Sequence, residues 1–190
     1  MIILASGSPR RHTLLEMLDI PHEVVSARID ETPEPGELPE SLAVRLARLK
    51  ATAVAAEHPD RIVLAADTLV VVDERILGKP VDVRDARRML ALLSGRAHRV
   101  ITAVAVVRDG TVHERCDVTR VWFRSLSEET IHAYVDSGEP MDKAGGYGLQ
   151  GFGAVLVERI DGDYFSVIGL PLRIVVELLA AVGAPYRFTR

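Results

Sequence analysis

The stretch IVLAADTLVVV, residues 62–72, decides the fold class of this 190-residue chain. A near-continuous apolar run of this length is typical of a central β-strand that is covered on both faces. Asp67 is the one charged residue in the run, and a buried carboxylate is costly unless it is paired, bound to a metal or placed at an exposed strand end. Asp67 is therefore the strongest catalytic candidate, with a structural aspartate bonded to backbone amides as the alternative.

Segments with helical and extended patterns alternate on both sides of this run. Strands are expected at residues 2–5, 62–72, 100–107, 111–123 and 154–160, with a further extended piece beginning at Val24. Helices are expected at residues 41–57, 83–93, 128–135 and 170–183, together with one that begins at Pro9. Residues 30–40 are acidic and proline-rich, which predicts a loop. Hairpins and helical crossovers both occur, so we predict an α/β protein with a mixed sheet.

Composition and charge limit the class of protein. The content of 48% hydrophobic and 26% charged residues is that of a globular domain, and we expect a single domain over residues 1–190. The net charge of −4 argues against a partner that is a nucleic acid polymer. No apolar run reaches the roughly 20 residues that cross a bilayer, so no membrane partner is expected. The single cysteine, Cys116, favours a reducing compartment and a cytoplasmic location.

The stretch LASGSPRR, residues 4–11, joins the first strand to the first helix. Ser8 is the expected N-cap, and arginines in the first helical turn are unfavourable beside the positive end of the helix dipole. They become favourable next to a bound phosphate, which the turn's backbone amides also attract. The pattern predicts a phosphate site at Ser6, Ser8, Arg10 and Arg11. An ordinary capped helix with solvated arginines is the alternative.

Three further stretches carry polar residues suited to a phosphate, metal or base site: IDET at 29–32, LGKPVD at 77–82 and DKAGGYGLQG at 142–151, the glycine-rich loop. Glu31 can hold a divalent metal with Asp67 if the two meet in space. Lys79 is a point charge for phosphate. In the glycine-rich loop, Tyr147 offers a ring for stacking and Gln150 an amide that donates and accepts, while glycines allow close backbone approach to a ligand. Solvated acids, an exposed turn lysine and a mobile loop are the alternatives.

Eight stretches in order along the chain resemble motifs of the Maf family of nucleotide pyrophosphatases: LASGSPRR, IDE, RLARLKA, AADT, GKP, LSGRAHRVITAV, DKAGGYGLQG and GDYFSVIGLPL. The resemblance implies hydrolysis of nucleoside triphosphates between the α- and β-phosphates, with Mg²⁺ or Mn²⁺ as the divalent cofactor and a homodimer in many members. It also implies a long mixed sheet flanked by helices, with two lobes around a central cleft, related to the fold of the inosine triphosphate pyrophosphatases.

The resemblance implies a role for each matching position. It makes Asp67 the general base, with Glu31, Lys50 and Lys79 as the supporting charged residues. Glu31 and Asp67 are also the implied metal ligands. The residues implied to hold phosphate oxygens are those of the opening stretch, Ser6, Ser8, Arg10 and Arg11.

Three positions distinguish branches of the family. A branch acting on 7-methyl-GTP has tryptophan after Ser-Pro, Asp-Gln in place of Asp-Thr, and glutamate in the glycine-rich loop, whereas this chain has Arg10, Thr68 and Gln150. These residues match the branch that prefers dTTP, UTP and modified pyrimidine triphosphates, with a house-cleaning role. Gln150 suits a uracil edge, which offers carbonyl acceptors and an N–H donor. A 7-methyl-GTP pyrophosphatase and a nucleotide-binding regulator of cell division stay open as alternatives.

Overall fold

The computed structural model describes residues 1–188, which form a seven-stranded sheet and six α-helices. The strands are β1 (Ile2–Leu4), β2 (His22–Val24), β3 (Val63–Val72), β4 (Arg75–Leu77), β5 (Ala97–Arg108), β6 (Thr111–Phe123) and β7 (Val157–Asp161). The helices are α1 (Pro9–Met17), α2 (Pro39–Glu57), α3 (Val83–Leu93), α4 (Glu128–Asp136), α5 (Tyr164–Ile168) and α6 (Leu172–Ala181). None of these helices combines the length and the apolar composition needed to cross a bilayer.

The sheet contains both parallel and antiparallel pairs. Its strand order is β2-β1-β3-β5-β6-β7, with β4 paired to β3. β1 is parallel to β2 and to β3, whereas β4 is antiparallel to β3 and β7 is antiparallel to β6. Helices and strands alternate along the chain, and the sheet is mixed, which confirms the predicted α/β class.

The chain divides into two compact units. Unit 1 consists of Met1–Asp67, Thr102–Asp117 and the described residues from Gly169 onward, and unit 2 consists of Thr68–Ile101 and Val118–Ile168. Fully buried side chains of unit 1 include Ile3, Leu15 and Leu64. The core of unit 2 is a cluster that includes Leu90, Phe123 and Leu156. The organisation of residues 1–190 as a single domain stays a prediction.

The helix α2 begins at Pro39, two residues earlier than expected. The helical spacing of Leu42, Leu46 and Leu49 predicts an apolar face, and Leu42 and Leu46 are buried, whereas Leu49 is 37% exposed. The buried face also contains small residues four positions apart, which lie on one side of the helix: Ala43, Ala47 and Ala51.

The strand expected at residues 154–160 is wrong in its first half. Residues Phe152–Leu156 form a 3₁₀ helix, and β7 begins only at Val157. The amides of Phe152 and Gly153 donate to the carboxylate of Glu139, which holds this segment in a turn instead of a sheet ladder. The helix α5 and the strand β4 have no counterpart in the sequence prediction.

Candidate active site

The pairing of β1 with β3 places two of the predicted stretches side by side in unit 1. Leu4 is opposite Leu64, and the amide of Ala5 donates to the Leu64 carbonyl at 2.8 Å. β1 ends at Leu4 while β3 continues, and Asp67 follows Leu64 by three residues. Arg11 interacts electrostatically with Asp67, so the opening stretch lies near the candidate general base.

Asp67 is ion-paired, which explains how a carboxylate is accommodated in a buried strand. It is 6% exposed, and its Oδ1 lies 2.6 Å from the Nζ of Lys50 on α2. The same Nζ lies 2.7 Å from Oε1 of Glu31. A buried charge needs such a partner to offset its lost hydration. The structure thus brings together three of the predicted residues, with one ammonium shared by two carboxylates.

A second contact network folds the turn between β1 and α1. The Arg11 guanidinium donates to Oγ of Ser6 at 3.1 Å and to the Gly169 carbonyl at 2.8 Å. The Ser8 amide also donates to Oγ of Ser6, at 3.2 Å. Ser8 occupies the predicted N-cap position with Pro9 at the start of the helix, but its hydroxyl makes no capping hydrogen bond. The buried hydroxyl of Ser6 therefore organises the turn.

Arg11 belongs electrostatically to the carboxylate cluster. Burial lowers the pKa of its guanidinium, the Asp67 and Glu31 carboxylates oppose that shift, and neighbouring Arg10 adds to it. An arginine keeps its charge in such surroundings because its ordinary pKa is far above neutrality. The cluster therefore combines two acidic side chains with the cations of Arg11 and Lys50, an arrangement suited to an anionic ligand.

Glu31 reaches this cluster from the acidic loop, residues 30–38, which Arg45 holds against α2. Arg45 donates to both carboxylate oxygens of Glu37 at 2.7 Å and to the Thr32 carbonyl at 3.1 Å. Hydrogen bonds from Arg45 lower the pKa of Glu37 to about 2. Oδ1 of Asp30 accepts from the amide and the hydroxyl of Thr32. Both neighbours of Glu31 are thereby fixed.

The sequence prediction did not assign a role to Arg45. It lay inside a stretch quoted only for family resemblance, RLARLKA. The available signal was an arginine in the first half of a helix that directly follows an acidic segment. A long cation at that position is placed to reach back to the loop that precedes its own helix.

The remaining predicted site residues belong to unit 2. Thr68 directly follows Asp67 in β3 and is partly buried. Lys79 is exposed in the turn after β4, and Gln150 is exposed in the glycine-rich loop. Their roles stay predictions.

A backbone contact connects the turn of Lys79 with the glycine-rich loop. The amide of Gly145 donates to the Gly78 carbonyl at 3.0 Å. Gly145 has φ +72°, and a Cβ there would lie 2.8 Å from Cγ1 of Val70. Only glycine permits both the positive φ and the close approach to β3.

Tyr147 is buried, whereas stacking on a ligand requires an accessible ring. It is 5% exposed, its hydroxyl lies 2.7 Å from Nε2 of His98, and its ring packs edge-on against Phe123. Burial lowers the pKa of His98 to about 4, so this histidine is neutral at neutral pH. The stacking prediction for Tyr147 is therefore wrong, because the ring belongs to the core of unit 2.

The carboxylates of Glu31 and Asp67 fit a metal ion only if a substrate supplies further ligands. Among residues 1–188, no three or more His, Cys, Asp and Glu side chains are grouped to hold a metal ion. Glu31 and Asp67 nevertheless converge on one cationic group, the Lys50 ammonium. Mg²⁺ is commonly bound by one or two carboxylates, with substrate phosphates and water completing its shell. The donor set fits a cation that binds together with a phosphate substrate.

Comparison with known proteins gives consistent matches over most of the chain. The profile described as Maf-like protein matches residues 1–182. A protein of Syntrophomonas wolfei named dTTP/UTP pyrophosphatase is 52% identical over 182 residues, covering 95% of this chain and 96% of that protein. A protein of the same name from Halalkalibacterium halodurans is 48% identical over 187 residues, 98% of each chain. The solved structure of the Staphylococcus aureus Ham1 protein aligns with a TM-score of 0.47 and 17% identity, covering 82% of this chain and 79% of that one.

Proposed function

Because the chain belongs to the Maf-like protein family, we propose that it is a nucleoside triphosphate pyrophosphatase that hydrolyses dTTP and UTP to the monophosphate and pyrophosphate. The observation that carries this proposal is the shared ion pair of Glu31, Lys50 and Asp67, with Arg11 in the same electrostatic cluster. Relatives with the name dTTP/UTP pyrophosphatase support the substrate class. Removal of modified pyrimidine triphosphates is the biological role that we propose.

The chemistry requires one proton acceptor and several cations. The oxygen of a water molecule bonds to the α-phosphorus, the bond from that phosphorus to the bridging oxygen breaks, and pyrophosphate leaves. We assign the water's proton to the Asp67 carboxylate, which Lys50 orients through Oδ1. Lys50 and Arg11 counter the negative charge that accumulates on the phosphate oxygens in the transition state.

Phosphate binding is assigned to the start of α1. Ser6, Ser8, Arg10 and Arg11 surround a helix N-terminus, where backbone amides and the dipole favour an anion. Lys79 is proposed as a further positive charge for the phosphates. The proposal is supported by the buried position of Ser6 and by the Arg11 guanidinium that donates to it.

Glu31 and Asp67 are the residues that would hold Mg²⁺ or Mn²⁺. When bound, the cation supplies charge neutralisation to the triphosphate. Arg10, Thr68 and Gln150 are assigned to base preference, in which the Gln150 amide donates to a carbonyl of the pyrimidine and accepts from its N–H. We also propose a homodimer and a single domain, which the family resemblance supports. The one cysteine, which forms no disulfide, supports a cytoplasmic location.

The test is pyrophosphate release from UTP, dTTP, CTP, GTP and 7-methyl-GTP in the presence of Mg²⁺ or Mn²⁺. We expect turnover of UTP and dTTP, and a decrease in kcat of about 100-fold or more for Asp67→Asn because the proton acceptor is lost. Asp60→Asn is the matched control, since Asp60 is an exposed aspartate of the same unit.

Three outcomes would contradict the proposal. Unchanged turnover in Asp67→Asn would remove the assigned base. Tight triphosphate binding without turnover by the wild type, measured by calorimetry, would favour the nucleotide-binding regulator. A preference for 7-methyl-GTP would show that Thr68 and Gln150 do not set the base.

A further inference from the structure

The chain around the glycine-rich loop folds about one carboxylate, that of Glu139. This residue begins the 3₁₀ turn Glu139–Asp142 and is partly buried. Its Oε2 accepts from the Phe152 amide at 2.8 Å, and its Oε1 accepts from the Gly153 amide at 3.0 Å. The carboxylate therefore holds the main chain two and three residues after Gln150.

Gly151, the residue after Gln150, is explained by this carboxylate, and Gly153 by the close approach of two chain segments. Gly151 has φ +150°, and a Cβ at that position would lie 2.5 Å from Oε2 of Glu139. A Cβ at Gly153 would lie 2.5 Å from the Gly148 carbonyl oxygen. The backbone can approach the carboxylate at Gly151, and the Gly148 backbone at Gly153, this closely only without side chains. The close approach that Gly151 permits is made to Glu139, a residue of the same chain.

Tyr134 completes the arrangement from α4. Its hydroxyl donates to Oε1 of Glu139 at 3.0 Å and accepts from the Gly148 amide at 3.3 Å. Tyr134 is itself buried in the core of unit 2. Two residues therefore connect the backbone on both sides of Gln150 to a packed helix, while the Gln150 side chain stays exposed.

We propose that Glu139 is a positioning residue for base selection, which together with Tyr134 fixes the backbone on both sides of Gln150. This inference rests on the proposed function, because it requires Gln150 to meet the base. Glu139 itself does not touch the substrate in this proposal. It acts by presenting the Gln150 amide in a single orientation, so that the cost of ordering the loop is met before the nucleotide binds.

The variant Glu139→Gln preserves the shape of the side chain and removes one acceptor. Its amide nitrogen would face one of the two backbone amides, so only one of the two bonds can form. We expect KM for UTP to rise about tenfold and the preference for UTP over CTP to fall by a similar factor, with kcat changed far less. Inhibition by inorganic pyrophosphate, which has no base, should not change.

A double-mutant cycle distinguishes positioning from general support of the fold. If Glu139 acts through Gln150, Glu139→Gln in a Gln150→Ala background should change the UTP-to-CTP ratio by less than about twofold. Glu158→Gln is the control, because Glu158 is an exposed glutamate on β7 in the same unit. Full additivity of the two substitutions would overturn the proposal.

The milder variant Tyr134→Phe keeps the ring and removes one bond to the carboxylate, so it tests the proposal if Glu139→Gln folds poorly. We expect the same direction of change, about threefold, and faster hydrogen exchange at the Phe152 and Gly153 amides. Unchanged base preference in both variants of an active enzyme overturns this inference alone. A wild type without activity on UTP and dTTP overturns the proposed function and this inference with it.

Discussion

The acidic loop and the glycine-rich loop each carry one proposed site residue, and they are held by charges of opposite sign. In the acidic loop a cation, Arg45, donates to a carboxylate and a carbonyl of the loop. The glycine-rich loop is held by an anion, Glu139, which precedes it and accepts from the two amides just after it. The acidic loop carries Glu31, and the glycine-rich loop carries Gln150.

The sign of the holding charge determines the residues that each loop requires. A guanidinium reaches the loop through a long side chain, so the backbone does not have to approach closely. The acidic loop can accordingly contain Pro33 and Pro35, which restrict φ. A carboxylate that accepts from consecutive amides draws the backbone against itself, and a glycine such as Gly151 becomes necessary.

The largest effect is expected when the cation of the acidic loop is removed. Arg45→Met preserves much of the aliphatic side chain and eliminates the hydrogen bonds that Arg45 donates to Glu37 and Thr32. Glu31 then loses its fixed position, and we expect kcat/KM for UTP to fall about 100-fold, as misplacement of a catalytic group by about 1 Å can do. Steady-state kinetics of pyrophosphate release measure this effect.

The matched control is Arg48→Met on the same helix. Arg48 pairs with Glu114 at 3.4 Å, and its loss should leave kcat/KM for UTP within about twofold of the wild type, as surface ion pairs contribute little. Equal losses in Arg45→Met and Arg48→Met would mean that charge on α2, and not the position of the acidic loop, determines activity.

Much of the fold could be predicted because it depends on local signals. The helix α3 has the predicted bounds, and α4 begins at the predicted residue, Glu128, where Ser127 caps it by accepting from the Thr130 amide. The segment 152–156 could not be predicted in this way. Its apolar residues resemble a strand, and its conformation depends on Glu139, thirteen residues before Phe152.

The same division between local and distant signals applies to the candidate site. Asp67 and Lys79 stand out locally, as a charge in an apolar run and a lysine in a turn. The pairing of Lys50 with both carboxylates, at 2.6 and 2.7 Å, depends on how α2 packs and leaves no local pattern. Tyr147 was misinterpreted because an aromatic residue in a glycine-rich stretch has the same local appearance whether it faces a ligand or the core.

Tyr147 of the glycine-rich loop contacts a buried, neutral histidine, His98. This histidine makes the stability of the fold depend on pH. His98 is 3% exposed, its Nε2 lies 2.7 Å from the Tyr147 hydroxyl, and burial lowers its pKa to about 4. The unfolded chain binds this proton with the ordinary pKa of about 6.5, so stability is complete above that value and falls as the pH decreases toward 4. At about 1.4 kcal/mol per pH unit, the loss at pH 5 is about 2 kcal/mol.

The variant His98→Gln removes this titration. Urea unfolding at pH 7.5 and pH 5 should show a loss of about 2 kcal/mol in the wild type that is absent from the variant, whatever the variant's stability at pH 7.5. Glu139 should not contribute in this interval. Burial opposes the shift, but hydrogen bonds from Gly153, Phe152 and Tyr134 lower its pKa, so its stabilisation is lost only below the ordinary glutamate range. An equal loss in both proteins would contradict the assignment to His98.

The smallest expected effect is a difference between the two loops in how salt changes their amide hydrogen exchange. The contacts of Arg45 with Glu37 are partly buried ion pairs, which dissolved ions screen only in part, whereas the bonds from backbone amides to Glu139 involve no opposite charge. Raising NaCl from about 0.05 to about 0.5 M should speed hydrogen exchange at the Thr32 and Glu34 amides about two- to threefold, because partial screening weakens such a pair by less than about 1 kcal/mol. Exchange at the Phe152 amide should change less. Equal acceleration in both loops would show that salt acts on the fold as a whole, and that the sign of the holding charge does not determine how each loop opens.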